Sequence, residues 1–165
     1  MHADYRMEIT EITDPERKSV ACAAIMGKLP GWFGIPASNE RFVNEIADKD
    51  VFTALVDHRP IGLIALRYHF QTTAEIWWLG IMPEYHRQGI GRRLFDAAKT
   101  RAAQVGCTTM AVMTVSPRNP DEGYARTREF YQSQGFRLLM EFNEDDPMNP
   151  LACMVLSLPD RLQKS

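Results

Sequence analysis

The sequence predicts an α/β fold, a mixed central sheet flanked by helices. Three observations carry this: strand patterns dominate the first half, strand and helix patterns alternate in the second, and no internal repeat or low-complexity stretch interrupts either. At 165 residues the chain is long enough to bury one core and short for two. A single domain over residues 1–165 is therefore expected, with the terminal "QKS" as a short tail.

Each element has its own signal. From Tyr5 to Ile12, "YRMEITEI" alternates apolar and polar residues as a half-buried strand does. Thr13 or Asp14 then caps a helix with Pro15 at its first position, where a missing N–H leaves no bond unmade. The breakers in "LPGWFGIP" (29–36) predict a loop that presents Trp32, Phe33 and Ile35. "SNERFVNEIADK" (38–49) predicts a short helix capped by Ser38. "VFTALVD" (51–57) and "PIGLIALRYHF" (60–70), joined by the polar Asp57, His58 and Arg59, read as a hairpin, and "AEIWWLGI" (74–81) as a further strand.

The best-specified helix follows, with Ile90, Leu94, Ala97, Ala98, Ala102 and Val105 at helical spacing and Gly106 at its end. "TTMAVMTV" (108–115) is a strand, "DEGYARTREFYQSQ" (121–134) a helix closed by Gly135, and "FRLLMEF" (136–142) and "LACMVLSL" (151–158) are strands. The total is about six to seven strands, mostly antiparallel, and about four helices.

Composition narrows the function classes. Hydrophobic residues at 45% and charged residues at 24% are globular values. A formal net charge of -2 gives no whole-molecule attraction to nucleic acid or an anionic membrane, so neither partner is expected. No apolar run reaches the ~18 residues of a membrane span, and the polar "MHADYRMEITEI" is no signal peptide. Cys22, Cys107 and Cys153 are an odd set without Cys-x-x-Cys spacing, which fits reduced, packed thiols and a cytoplasmic location. His58, His69 and His86 lack ligand spacing, so no metal is expected.

The chemistry concentrates in "PEYHRQGIGRRL" (83–94). A strand that passes through a glycine turn into a helix leaves the first helical N–H groups unpaired at the positive end of the dipole, which suits a phosphate. Gly89 and Gly91 permit close approach, and Arg87, Arg92 and Arg93 supply charged donors. No Gly-Lys-Ser/Thr follows, and Leu94 stands where a dinucleotide fingerprint has its third glycine. On spacing alone, an anion seat and a plain strand-to-helix turn both fit.

"HRQGIGRRL" after "AEIWWLGI", followed by an amphipathic helix, a strand and "REFYQSQGF", resembles the GNAT superfamily of acyl-CoA-dependent N-acetyltransferases. The element order resembles it from about residue 5 to 158, and the motifs are sharp between about 75 and 136. The resemblance implies a GNAT fold with a splayed central strand pair. It implies acetyl-CoA as cosubstrate, its pyrophosphate on the turn formed by Arg87, Gln88, Gly89, Ile90, Gly91 and Arg92, with His86 where the family usually has Arg or Gln. Main-chain groups of Leu79, Gly80, Ile81 and Met82 would hold the pantetheine and acetyl group. Gly80 weakens an apolar strand, for which a closely approaching ligand or a bulge are the usual reasons.

For catalysis the resemblance implies Tyr131, in "FYQSQGF", as the acid that protonates the coenzyme A thiolate, and Glu75 as the base. Glu75 also reads as a strand carboxylate without a role. From Glu75 to Leu79 is roughly 13 Å of strand at ~3.3 Å per residue, so a relaying water is expected. Trp32 and Phe33 are candidates for the acceptor pocket, as is Tyr124, one helical face with Tyr131; packing also explains Tyr124. The expected reaction is direct transfer to a primary amine of a small molecule or peptide, and family habit allows a homodimer. The rival is a non-catalytic acyl-CoA sensor or partner-binding module on the same fold.

Overall fold

The computed structural model describes residues 6–29, 36–143 and 147–160. In chain order the elements are β1 (Met7–Ile12), α1 (Pro15–Met26), α2 (Pro36–Glu45), β2 (Asp50–Val56), β3 (Arg59–His69), β4 (Thr73–Ile81), α3 (Ile90–Gln104), β5 (Thr109–Val115), α4 (Glu122–Ser133), β6 (Arg137–Phe142) and β7 (Leu151–Ser157). The seven strands order as β1-β2-β3-β4-β5-β7-β6. Within this mixed sheet β4 and β5 are parallel, registering Thr73–Ile76 against Thr109–Val112, and both strands run on past those pairs. The chain divides into two compact units, Met1–Arg67 with Trp78–Arg101, and Tyr68–Trp77 with Ala102–Ser165.

In the first unit, Asp14 caps α1 by accepting from the Arg17 N–H at 2.8 Å, and Pro15 takes the first helical position. Lys18, buried on α1, donates through Nζ to the Lys49 carbonyl at 2.6 Å, which satisfies an ammonium that burial would otherwise destabilise. The cap expected at Ser38 is not formed: α2 begins at Pro36, so Ser38 lies inside its first turn. Proline is favoured at the start of a helix, and here it starts the helix two residues early.

One face of α3 buries Ile90, Leu94, Phe95, Ala98 and Ala102. Val105, expected on that face, lies beyond the last helical residue and is 50% exposed. Arg101 joins the end of α3 to β1 and β2, bonding Glu11 at 2.7 Å and Asp50 at 3.2 Å while its guanidinium sits 5.2 Å from the Phe52 ring centre.

In the second unit, α4 opens on Asp121, whose carboxylate accepts from the N–H groups of Gly123 at 2.8 Å and Tyr124 at 3.2 Å. Buried Arg128 extends from α4 to the end of β5 and donates to the carbonyls of Val115 at 2.7 Å and Ser116 at 3.3 Å. Ser116 and Arg118 both bond Glu141 of β6, so the segment after β5 is held from two sides.

The turn between β3 and β4 is strained. Phe70 and Gln71 have φ of 52° and 61°, and the Thr72 N–H closes the turn on the His69 carbonyl at 3.2 Å. Left-handed residues at both central positions of the His69–Thr72 turn follow the type I′ pattern, for which Asn-Gly is the favoured pair. Phe70 is 96% exposed, so its ring has no packing to lose. The double change Phe70→Asn with Gln71→Gly is expected to stabilise the protein by about 1 kcal/mol, the order of the left-handed penalty removed. A denaturant midpoint that does not rise would show that solution molecules do not hold this turn.

Candidate active site

Beyond β4 the chain makes a short 3₁₀ turn at Pro83–Tyr85, takes left-handed conformations at Arg87 (φ 59°) and Gly89 (φ 76°), and enters α3 at Ile90. The Arg93 N–H bonds the Gly89 carbonyl at 3.2 Å, which begins the helical ladder. The N–H groups of Ile90, Gly91 and Arg92 therefore have no acceptor within the helix. A Cβ on Gly89 would meet nothing within 4 Å, so the main chain is open to close approach from that side. Arg87 and Arg92 are exposed beside it. Arg93, expected with them, is turned instead toward the Met7 sulfur at 3.2 Å. The Ile90 side chain belongs to the core, which leaves its N–H as the group a ligand could use.

His86 occupies a definite structural position. Its Nε2–H donates to the carbonyl of Ile81 at 2.6 Å, tying the turn back to the last residue of β4. Gln88 does the same over a shorter span, donating to the Glu84 carbonyl at 3.1 Å.

The four main-chain candidates at the end of β4 and just beyond it separate into two pairs. Met82 donates its N–H to the Ile61 carbonyl of β3 at 2.8 Å, and the Gly80 carbonyl also lies at β3, 3.4 Å from where a Cβ on Gly62 would stand. Main-chain groups alternate in direction along a strand, so those of Leu79 and Ile81 point away from β3. The space beside Gly80 is not open: a Cβ there would lie 2.4 Å from Cη2 of Trp78, whose buried indole packs over the glycine. Packing by its own strand neighbour accounts for this glycine, where the sequence suggested a ligand or a bulge.

In the second unit Tyr131 is buried on α4, set edge-on between Phe130 (5.4 Å between ring centres) and Phe136 (5.6 Å). Burial pushes its phenol well above the usual tyrosine range. The phenol thus stays protonated across the pH range in which proteins work. Tyr124 lies seven residues earlier on the same helix, half-buried.

Glu75 is not a solvent-facing strand carboxylate: it is 7% exposed and sits opposite Ala111 in the parallel ladder. Its Oε2 is 2.6 Å from Nε2 of His69 at the end of β3. This histidine was invisible as a site residue in the sequence, where only the six-residue spacing and the hairpin pattern around it could have pointed to the pair. Trp32 and Phe33 lie outside the described residues. Among the described residues no group of three or more His, Cys, Asp or Glu could hold a metal ion, and no helix is long and apolar enough to cross a membrane.

This strand order, with a glycine turn leading from β4 into α3, defines an α/β protein with a candidate anion seat at a helix start. The chain belongs to the acetyltransferase (GNAT) family, whose model matches residues 11–136. Among solved structures it is similar to an aminoglycoside 6'-N-acetyltransferase complexed with coenzyme A, with 17% identity, a TM-score of 0.75, and coverage of 92% of this chain and 98% of that one. The aminoglycoside 6'-N-acetyltransferase from Enterococcus faecium gives 18% identity and a TM-score of 0.72, over 92% and 98% of the two chains. The ribosomal-protein-S18-alanine N-acetyltransferase from Escherichia coli gives 17% and 0.71, over 94% and 97%. At such identities these likenesses concern the fold. Comparison with curated proteins gives no match.

Proposed function

We propose that the protein is an acetyl-CoA-dependent N-acetyltransferase that moves the acetyl group directly to a primary amine of a small molecule or peptide in a ternary complex. The observation that carries this reading is the turn from Arg87 to Gly89, open beside Gly89 and leading into unpaired helical N–H groups, inside the segment that matches the family. A diphosphate suits that donor set, with Arg87 and Arg92 adding charge-assisted bonds. The aminoglycoside enzyme with bound coenzyme A supports the choice of ligand.

The direction of the β4 main chain supports the groups of Leu79 and Ile81 as the seat of the thioester, where their dipoles would stabilise the developing oxyanion. The Ile81 carbonyl already accepts from His86, so that histidine stiffens the strand end that carries them. Tyr131, kept neutral by burial, would protonate the departing thiolate. Glu75 would take protons from the amine through water, because an alkylamine with a reference pKa of ~10.4 arrives protonated. Tyr124, Trp32 and Phe33 are proposed for the acceptor.

The test is free-thiol release from acetyl-CoA across an amine panel of small amines, amino acids, aminoglycosides and peptide N-termini. Acceptor-dependent release is expected. Protein that binds coenzyme A and releases no thiol with any acceptor would be a sensor or partner-binding module instead.

A further inference from the structure

Acetylation of a protonated amine liberates protons that need a path. An ammonium carries three N–H hydrogens and the amide product one. Of the two removed, one ends on the coenzyme A sulfur and the other must reach solvent in every turnover. Glu75, at 7% exposure, is poorly placed to hand a proton to bulk water.

His69 is placed to do so. Its Nε2 lies 2.6 Å from Glu75 Oε2, and its side chain is 43% exposed. The closed turn at Phe70 and Gln71 begins on the His69 carbonyl and fixes the backbone that presents the ring. On the neighbouring strands, Ala111 of β5 stands opposite Glu75, and Cys153 of β7 feels its charge. The Cys153 thiol is pushed up by burial and then by Glu75, so it holds its own proton and does not compete.

We infer that His69 and Glu75 form a proton relay in which the buried carboxylate collects the amine proton and the imidazole delivers it to solvent. The inference rests on the acetyltransferase reading. The proton passes from Oε2 of the carboxylic acid to Nε2 of the neutral ring, and the imidazolium releases a proton from Nδ1 to water. Between turnovers the half-exposed ring swings away from Glu75, Nε2 gives its proton to water and Nδ1 takes one up, which restores the starting tautomer with no net proton change. Each O–H or N–H bond that breaks leaves its electron pair on the oxygen or nitrogen, each new bond forms from the acceptor's lone pair, and the net product is one solvent proton per amide formed.

Two variants separate transfer from support. His69→Gln keeps a hydrogen-bond donor for Glu75 and cannot relay a proton; His69→Ala removes both. In weakly buffered solution, with the best acceptor of the panel, both are expected to lose at least about tenfold in kcat with the KM for acetyl-CoA unchanged. Added imidazole should restore much of the His69→Ala rate and leave the wild type unaffected. A His69→Gln variant as fast as wild type, or a loss in His69→Ala that imidazole does not relieve, overturns the relay and leaves the acetyltransferase reading standing. Wild-type protein that releases no thiol overturns both.

Discussion

Tyr131→Phe is expected to lower kcat by roughly a hundredfold or more, the range for loss of a positioned general acid, while the KM for acetyl-CoA is unchanged. The substitution removes one hydroxyl from a buried ring held edge-on by Phe130 and Phe136, so packing survives and stability should shift by less than about 1 kcal/mol. Burial disfavours the phenolate, which moves the tyrosine above its reference value of ~10. The donor is therefore present at every pH up to ~10, and an alkaline fall in rate below that must come from another group. Because the folded value is raised, stability is fully present below ~10 and is lost as pH climbs through the folded value; the Phe variant should not show that loss. Steady-state kinetics and pH-dependent denaturation measure both parts. An unchanged kcat would remove Tyr131 from the mechanism.

What the sequence discloses is local. The cap at Asp14, the glycines that end α3 and α4, and the turn before Ile90 each rest on a few adjacent residues whose backbone needs are specific, and each is found where expected. Ser38 fails for the same reason: a proline two residues earlier is an equally local start signal, and it prevails. Long-range placement is a different matter. β7 inserts between β5 and β6, and nothing in "LACMVLSL" announces that partner choice. Arg128 looks like a solvated helix residue until the end of β5 is brought to it, and Met82 looks open until Ile61 takes its N–H. The Glu75–His69 pair lies between these cases, since its members are six positions apart but only the turn at Phe70 makes them meet.

Gly80→Ala is expected to destabilise the protein by about 3 kcal/mol, the upper end of the ordinary overpacking range. The added Cβ would stand 2.4, 2.9 and 3.0 Å from Cη2, Cζ3 and Cζ2 of Trp78, where carbon atoms rest at about 3.5–4.0 Å. The indole is 3% exposed and planar, so it cannot yield as a flexible chain end would, and either ring or strand must move. Trp78→Phe alone should also destabilise, by leaving a cavity. The pair together should lose less than the sum of the two, with a coupling of about 1–3 kcal/mol, because the smaller ring vacates the space the new methyl needs. Denaturant unfolding of the four proteins measures this cycle. Strict additivity would show that Trp78 is not what the glycine accommodates. The same four proteins decide between packing and ligand at this position. A glycine retained only for a ligand would lose acetyl-CoA affinity on gaining a methyl and keep its stability. A glycine retained for the indole loses stability first, and affinity only as far as the displaced strand carries Leu79 and Ile81 with it.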